Sequence, residues 1–370
     1  MLKYYLPVLL FIGASPERNG DIFQNLLFTV NICFSVFFAY LILLRLSLDH
    51  NLSLTEVVDT LGTLLTLFHG IVKLVCLYIG KSKLRDLLNA TNTFHDTEHI
   101  VEEEIKAACL RTMKTLKILM TVFVASAIPG VYTFMIKPIS ERTYIFFIYI
   151  PSNISYEYLM GMQAYTFITT VLIPILITDL IFISLLLKAK VQFQLLNFSV
   201  NELFQREVVR DEEIHQRVKK LVDTHNFLLE FVKTFNKVFS LPLFLYFQTV
   251  MLCLCIQMFM LSIQKSFASC IQYIIYIVLV LSEFTILYCL PAQSFTDEVD
   301  KLSDNIWQSG WHEHPSKLVH VAVKMILMRS QRRTFISAQI VNVTHETCMN
   351  IVRAAASYYT FLKTIADTAE

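Results

Sequence analysis

Hydrophobic residues in this chain fall into long runs rather than the narrow stripes of soluble helices. Crossing ~30 Å of hydrocarbon takes about 20 helical residues. Seven runs meet that length, near 26–46, 58–80, 117–136, 159–187, 238–262, 267–290 and 334–365. The second is the weakest, because His69 and Lys73 interrupt it. The fourth and seventh exceed a bilayer's thickness and are expected to project into water.

Between the runs the pattern changes to a helical stripe. In 199–237, Ile214, Val218, Leu221, His225, Leu228 and Val232 recur at helical spacing among charged residues. The stretch 83–116 has the same character. Both predict helices that extend the neighbouring spans beyond the membrane and pack together. The last run is also two-faced. Gln339, Asn342, Glu346, Asn350, Arg353, Ser357 and Thr360 follow one another every three or four residues, which is one face of a helix. Val341, Ile351, Val352, Ala355 and Tyr359 form the other. A polar face on a spanning helix has to meet water or other polar groups.

Composition agrees with membrane residence: 55% of residues are hydrophobic and only 16% charged, against about a quarter charged in soluble domains. A net charge of +1 leaves no footprint for nucleic acid. The distribution of charge carries more information than its sum. Twenty-four Lys and Arg fall on the side holding the N-terminus and the even-to-odd loops, and five on the other. The positive-inside rule then places the N-terminus in the cytosol and the C-terminus outside. Reading "MLKYYLPVLLFIGAS" as a cleaved signal peptide would invert that asymmetry, so a re-entrant or interfacial lead-in helix is expected there. The predicted fold is an all-α membrane protein with seven transmembrane helices. Its parts are an N-terminal segment 1–25, a six-helix region 26–290, cytosolic helices 291–333, and a last helix with a short tail over 334–370.

Candidate chemistry is sparse. The eight cysteines are scattered and lack zinc-finger spacing. "HETC" lacks the second His of a zinc protease motif, and no nucleotide motif is present. No enzyme, cofactor or metal is expected. Of five glycosylation sequons, only Asn51 and Asn153 fall in predicted outside loops. Ionisable residues inside spans are costly and tend to be paired or functional. Here they are Lys73, Asp179, Glu283 and Arg353, the first three at one depth. Lys73 either pairs with Asp179 or Glu283 or extends to the nearby interface. The outer halves of spans 2, 3, 4 and 6 hold aromatic, Met and small residues: Leu64, Leu67, Phe68, Ala127, Gly130, Phe134, Met162, Thr166, Tyr273 and Tyr276. They describe either an apolar ligand cavity with polar handles or ordinary helix packing.

The C-terminal third resembles the insect odorant receptor family. The resemblance rests on "LPAQSFTDEVDKLSDNIWQSGW", on the "SYYTFLK" ending, and on "YYLPVLLFIGASPERN" near the N-terminus. Asp179 in "ITDLIF" sits where the family often has an Asp. The resemblance implies a ligand-tuned subunit of a non-selective cation channel in the plasma membrane of a sensory dendrite. It implies partnership with the shared co-receptor, four subunits around a pore lined by span 7, and a small volatile odorant as ligand. Membrane lipid and permeant monovalent and divalent cations complete the expected partners. Glu346, Asn350, Arg353, Ser357 and Thr360 would line the pore, with Phe361 and Ile365 as an outer gate that closes by dewetting. Arg353 fits such a path only if it tilts toward Glu346 or the inner interface, or shares the path with neutral helices. The alternatives are a seven-helix G-protein-coupled chemoreceptor, a gustatory-type channel and a transporter.

Overall fold

The computed structural model describes residues 5–17, 21–49, 51–95, 103–150, 154–203, 211–264 and 267–369. The helices in chain order are α1 (Tyr5–Phe11), α2 (Ile22–Leu48), α3 (Leu54–Ala90), α4 (Glu103–Val131), α5 (Lys137–Glu141), α6 (Tyr156–Thr166), α7 (Ile173–Glu202), α8 (Asp211–Ile263), α9 (Phe267–Ser282), α10 (Leu290–Gln308), α11 (Lys317–Ser330) and α12 (His345–Ala369). Three joins are wider π turns rather than breaks: Tyr132–Ile136 between α4 and α5, Phe167–Leu172 between α6 and α7, and Glu283–Cys289 between α9 and α10. The expected seven spans therefore correspond to α2, α3, α4–α5, α6–α7, α8, α9–α10 and α12.

The extensions expected from the charged stripes are continuous with their spans. Over its 53 residues α8 is ~80 Å long at 1.5 Å per residue. Ile214, Val218, Leu221, Leu228 and Val232, taken from its stripe, are all buried. They join a core that also takes in Leu196 of α7, Val299 and Leu302 of α10, and Val323 of α11. Extensions of α7, α8 and α10 thus pack together with α11 outside the spanning region. Helix α1 is held to this core by Tyr5, whose hydroxyl lies 3.2 Å from Ser184 Oγ of α7.

Helix ends are set by local chemistry. Ser53 and Glu56 cap α3 reciprocally, Ser53 Oγ accepting from Glu56 N at 3.4 Å and Glu56 Oε2 from Ser53 N at 2.9 Å. Gly70 explains how closely α3 approaches span 4. A Cβ there would meet the Thr170 carbonyl oxygen at 2.3 Å and Val171 Cα at 2.8 Å, so only hydrogen fits.

The last helix starts later than the hydrophobic run predicts. Residues 334–344 form a connector with a two-stranded hairpin, Ser337–Ala338 against Val341–Asn342. Gln339 takes a left-handed φ of 56° at its turn. Asn236 of α8 fixes it, its Nδ2 donating to Phe335 O and its Oδ1 accepting from Ser337 N, both at 3.0 Å. Gln339 and Asn342 are consequently off the helix, and its polar face begins at Glu346. The connector's Thr334, Ile336, Ile340, Val341 and Val343 are β-branched, which favours extended backbone over helix.

Candidate functional site

The expected ligand residues divide between two neighbourhoods. Leu67 is buried, and Leu64 and Met162 pack beside it, in a cluster with Phe38 and Ile42 of α2 and Leu159, Phe167 and Val171 of span 4. Ile145, Phe146 and Ile148, from the segment between α5 and α6, close it. Gln163 holds that segment: its Oε1 accepts from the Ile145 and Phe146 amides at 2.8 and 3.1 Å. Thr166 is buried and returns its hydroxyl to the Met162 carbonyl at 2.9 Å. Phe68 is 46% exposed and is not part of that cluster. On the other side of α3, Tyr276 of α9 adjoins Thr66 and Cys253 of α8, and Tyr273 faces Asp59. Ala127 and Gly130 lie in α4 and Phe134 in the π turn after it; their side chains lie outside the described residues. So do Asn153 and the Ile365 side chain. Asn51 is exposed in the turn between α2 and α3.

Below Tyr276 the structure assembles a polar node. Lys73 Nζ donates to Asp179 Oδ1 at 2.5 Å and to the Tyr288 hydroxyl at 3.3 Å. Tyr288 OH donates to the same Asp179 oxygen. The ammonium lies 5.0 Å from the centre of the Tyr246 ring, within reach of a cation–π attraction. Tyr246 in turn stacks on His69 at 5.1 Å. Lys73 and Asp179 are each 1% exposed, so Lys73 pairs inward instead of extending to the interface. Glu283, at the start of the π turn in span 6, is within electrostatic reach of both. The sequence marks Lys73, Asp179 and Glu283 as intramembrane charges at one depth. It does not mark Tyr246 and Tyr288, whose spacing is that of ordinary core aromatics, and it marks His69 only as an interruption of the second run.

The span-6 π turn also meets the last helix. Thr285 Oγ1 lies 3.7 Å from Cys348 Sγ on the buried side of α12. Ala355 is buried on that side too. The opposite face is exposed, carrying Glu346, Asn350, Arg353, Ser357 and Thr360, then Phe361 at 62% exposure. This single chain leaves its polar face uncovered. A separate cleft of about 610 Å³ opens between α8 and the end of α11, lined by Glu230, Lys233, Asn236, Arg329 and Arg333. It is remote from the expected ligand residues in the chain's outer half.

A family profile described as "7tm Odorant receptor" matches residues 53–356. The chain belongs to this odorant receptor family. The receptor is 26% identical over 152 residues to Odorant receptor 22c of Drosophila melanogaster, a match spanning 41% of this chain and 37% of that one. Its fold is that of the insect olfactory receptor OR5 from Machilis hrabei, with a TM-score of 0.82, 16% identity, and coverage of 98% of this chain and 97% of that one. The same figures hold for OR5 in complex with eugenol. The seven-helix, all-α membrane architecture expected from the hydrophobic runs is thus the receptor's fold.

Proposed function

We propose that this receptor is the odorant-binding subunit of a heteromeric, ligand-gated, non-selective cation channel of the plasma membrane. The observation that carries this reading is the polar face of α12. Five polar or charged side chains point out of the receptor's own bundle along a helix that starts at His345. Exposed to lipid, such a face would leave hydrogen-bonding groups unsatisfied, at a cost on the order of several kcal/mol each. Facing water between subunits it costs nothing. Phe361 and Ile365 then follow toward the outer end as the apolar constriction. The odorant pocket is assigned to Leu64, Leu67, Met162 and Thr166 with Ala127, Gly130 and Phe134, and Tyr273 and Tyr276 supply polar contacts. A small volatile ligand that binds the open arrangement better shifts the population toward it.

The test is electrical. The receptor is expressed with and without the odorant receptor co-receptor, without added nucleotides, and challenged with a broad odorant panel. The expected result is odorant-evoked cation current with the co-receptor. Current that depends on a G protein, or a C-terminal tag inaccessible on intact cells, would overturn the reading.

A further inference from the structure

Three ionisable side chains meet in the polar node, and their charges do not balance. Lys73 contributes one positive charge, while Asp179 and Glu283 contribute two negative ones. Asp179 uses Oδ1 for both Lys73 and Tyr288. Its Oδ2, Glu283 Oε1, the Tyr246 hydroxyl and His69 Nε2 are buried with no hydrogen bond of ordinary length, although Glu283 lies beside both Asp179 and Tyr246. Two neighbouring carboxylates with one shared ammonium leave a net charge of minus one inside a membrane-spanning bundle. An unpaired charge there is expensive. Unsatisfied acceptors beside it add to the cost.

We propose that this node binds one monocation, a proton or an alkali-metal ion, between the carboxylates of Asp179 and Glu283. One added positive charge brings the node to neutrality; a divalent ion would overshoot and crowd Lys73. A proton forms one O–H bond on either carboxylate, so that one carboxyl donates to the other. An alkali ion would take Asp179 Oδ2, Glu283 Oε1 and the Tyr246 oxygen as hard ligands. The groups facing Glu283 are Lys73 from α3, Asp179 from α7, Tyr246 and Cys253 from α8, and Tyr276 and Tyr288 from its own span. Among them only Lys73 carries a fixed positive charge. Occupancy would be felt at the last helix, because Glu283 opens the π turn whose Thr285 touches Cys348.

The test measures melting of the purified assembly in nanodiscs and does not rest on the channel reading. Melting is followed from mildly acidic to mildly basic pH in choline chloride, then with sodium or potassium chloride replacing choline at fixed ionic strength. If the bound species is a proton, the melting temperature falls as pH rises, and sodium and potassium change nothing. If it is an alkali ion, sodium or potassium raises the melting temperature over choline. In either case Glu283→Gln, which has the shape of the protonated acid, removes the dependence. Should that variant not fold, Glu283→Asp withdraws the carboxylate by one methylene and should weaken the dependence, while His69→Gln should keep it. A wild-type protein indifferent to both pH and alkali ions overturns the proposal. So does a Glu283 variant that keeps the full wild-type dependence.

Discussion

Lys73 on α3 and Asp179 on α7 stand 106 positions apart in the chain and 2.5 Å apart in the fold. Neither side chain reaches solvent. Their contact ties the second span to the fourth at the level where Tyr246 and Tyr288 bring in the fifth and sixth. The first prediction concerns this tie. Removing one partner leaves the other charge buried and alone, a cost of about 3–5 kcal/mol. Lys73→Met, which leaves the Asp179 and Glu283 carboxylates without a cation, is therefore expected to lower surface expression sharply; Asp179→Asn leaves Lys73 facing Glu283 and should lower it less. The double variant, in which Glu283 alone keeps a charge, should recover part of it. Surface biotinylation of the three variants decides; a Lys73→Met receptor at wild-type surface level would show that the pair contributes nothing.

Gly70 supplies a second, purely steric prediction. Gly70→Ala drives a methyl group into the Thr170 carbonyl and Val171 Cα, both backbone atoms that cannot swing aside. Separating α3 from the π turn of span 4 should cost at least the ~1–3 kcal/mol typical of overpacking. Gly62, on the same helix, has nothing within 4 Å of a built Cβ. Gly62→Ala should be neutral, or more stable by up to about 1 kcal/mol from helix propensity. Melting of the two variants side by side is the measurement, and equal effects would contradict the close approach.

The pocket assignment predicts a separation of sensitivities. Tyr276 adjoins Thr66 and Cys253, so Tyr276→Ala removes a polar handle between spans 2, 5 and 6 without touching the last helix. The odorant dose–response should shift for Tyr276→Ala and for Tyr273→Ala. A co-receptor agonist should still open the channel at its usual concentration. Unchanged odorant responses in both variants would move the pocket elsewhere.

Outside the spans, His225 gives a pH prediction. It is buried in the part of α8 that extends past the spanning region, and burial, with Arg329 nearby, depresses its pKa from 6.5 to about 4. The unfolded chain takes up this proton first as pH falls. The stability held by neutral His225 is thus complete above about pH 6.5 and is lost progressively between there and about pH 4. A gap of that size corresponds to up to roughly 3 kcal/mol. Melting temperature should drop on acidification through this window, and His225→Leu should flatten the drop. The sign is opposite to that of the proton arm at Glu283, so the two variants report separate sites.

Much of this receptor was legible in the order of its residues. Hydrocarbon admits only long apolar helices, so the run lengths point to the seven-helix architecture, and the skewed Lys and Arg count predicts its orientation. The cytosolic stripe of α8 reads correctly for the same reason: a helix that buries one face must repeat it every three or four residues. The start of the last helix was not legible. The 334–344 connector is as apolar as the helix after it, and its hairpin depends on Asn236, about a hundred residues away, to satisfy its backbone.

Sequence by itself therefore determined the membrane class, the spans, and the polar face of the final helix, because these follow from local hydrophobicity and period. Only the tertiary structure decided which intramembrane charges meet. Spacing along a chain says nothing of the distance between helices. Lys73, Asp179 and Glu283 converge with Tyr246 and Tyr288 because Gly70 lets α3 settle against span 4 and the π turn of span 6 places Glu283 and Tyr288 beside them.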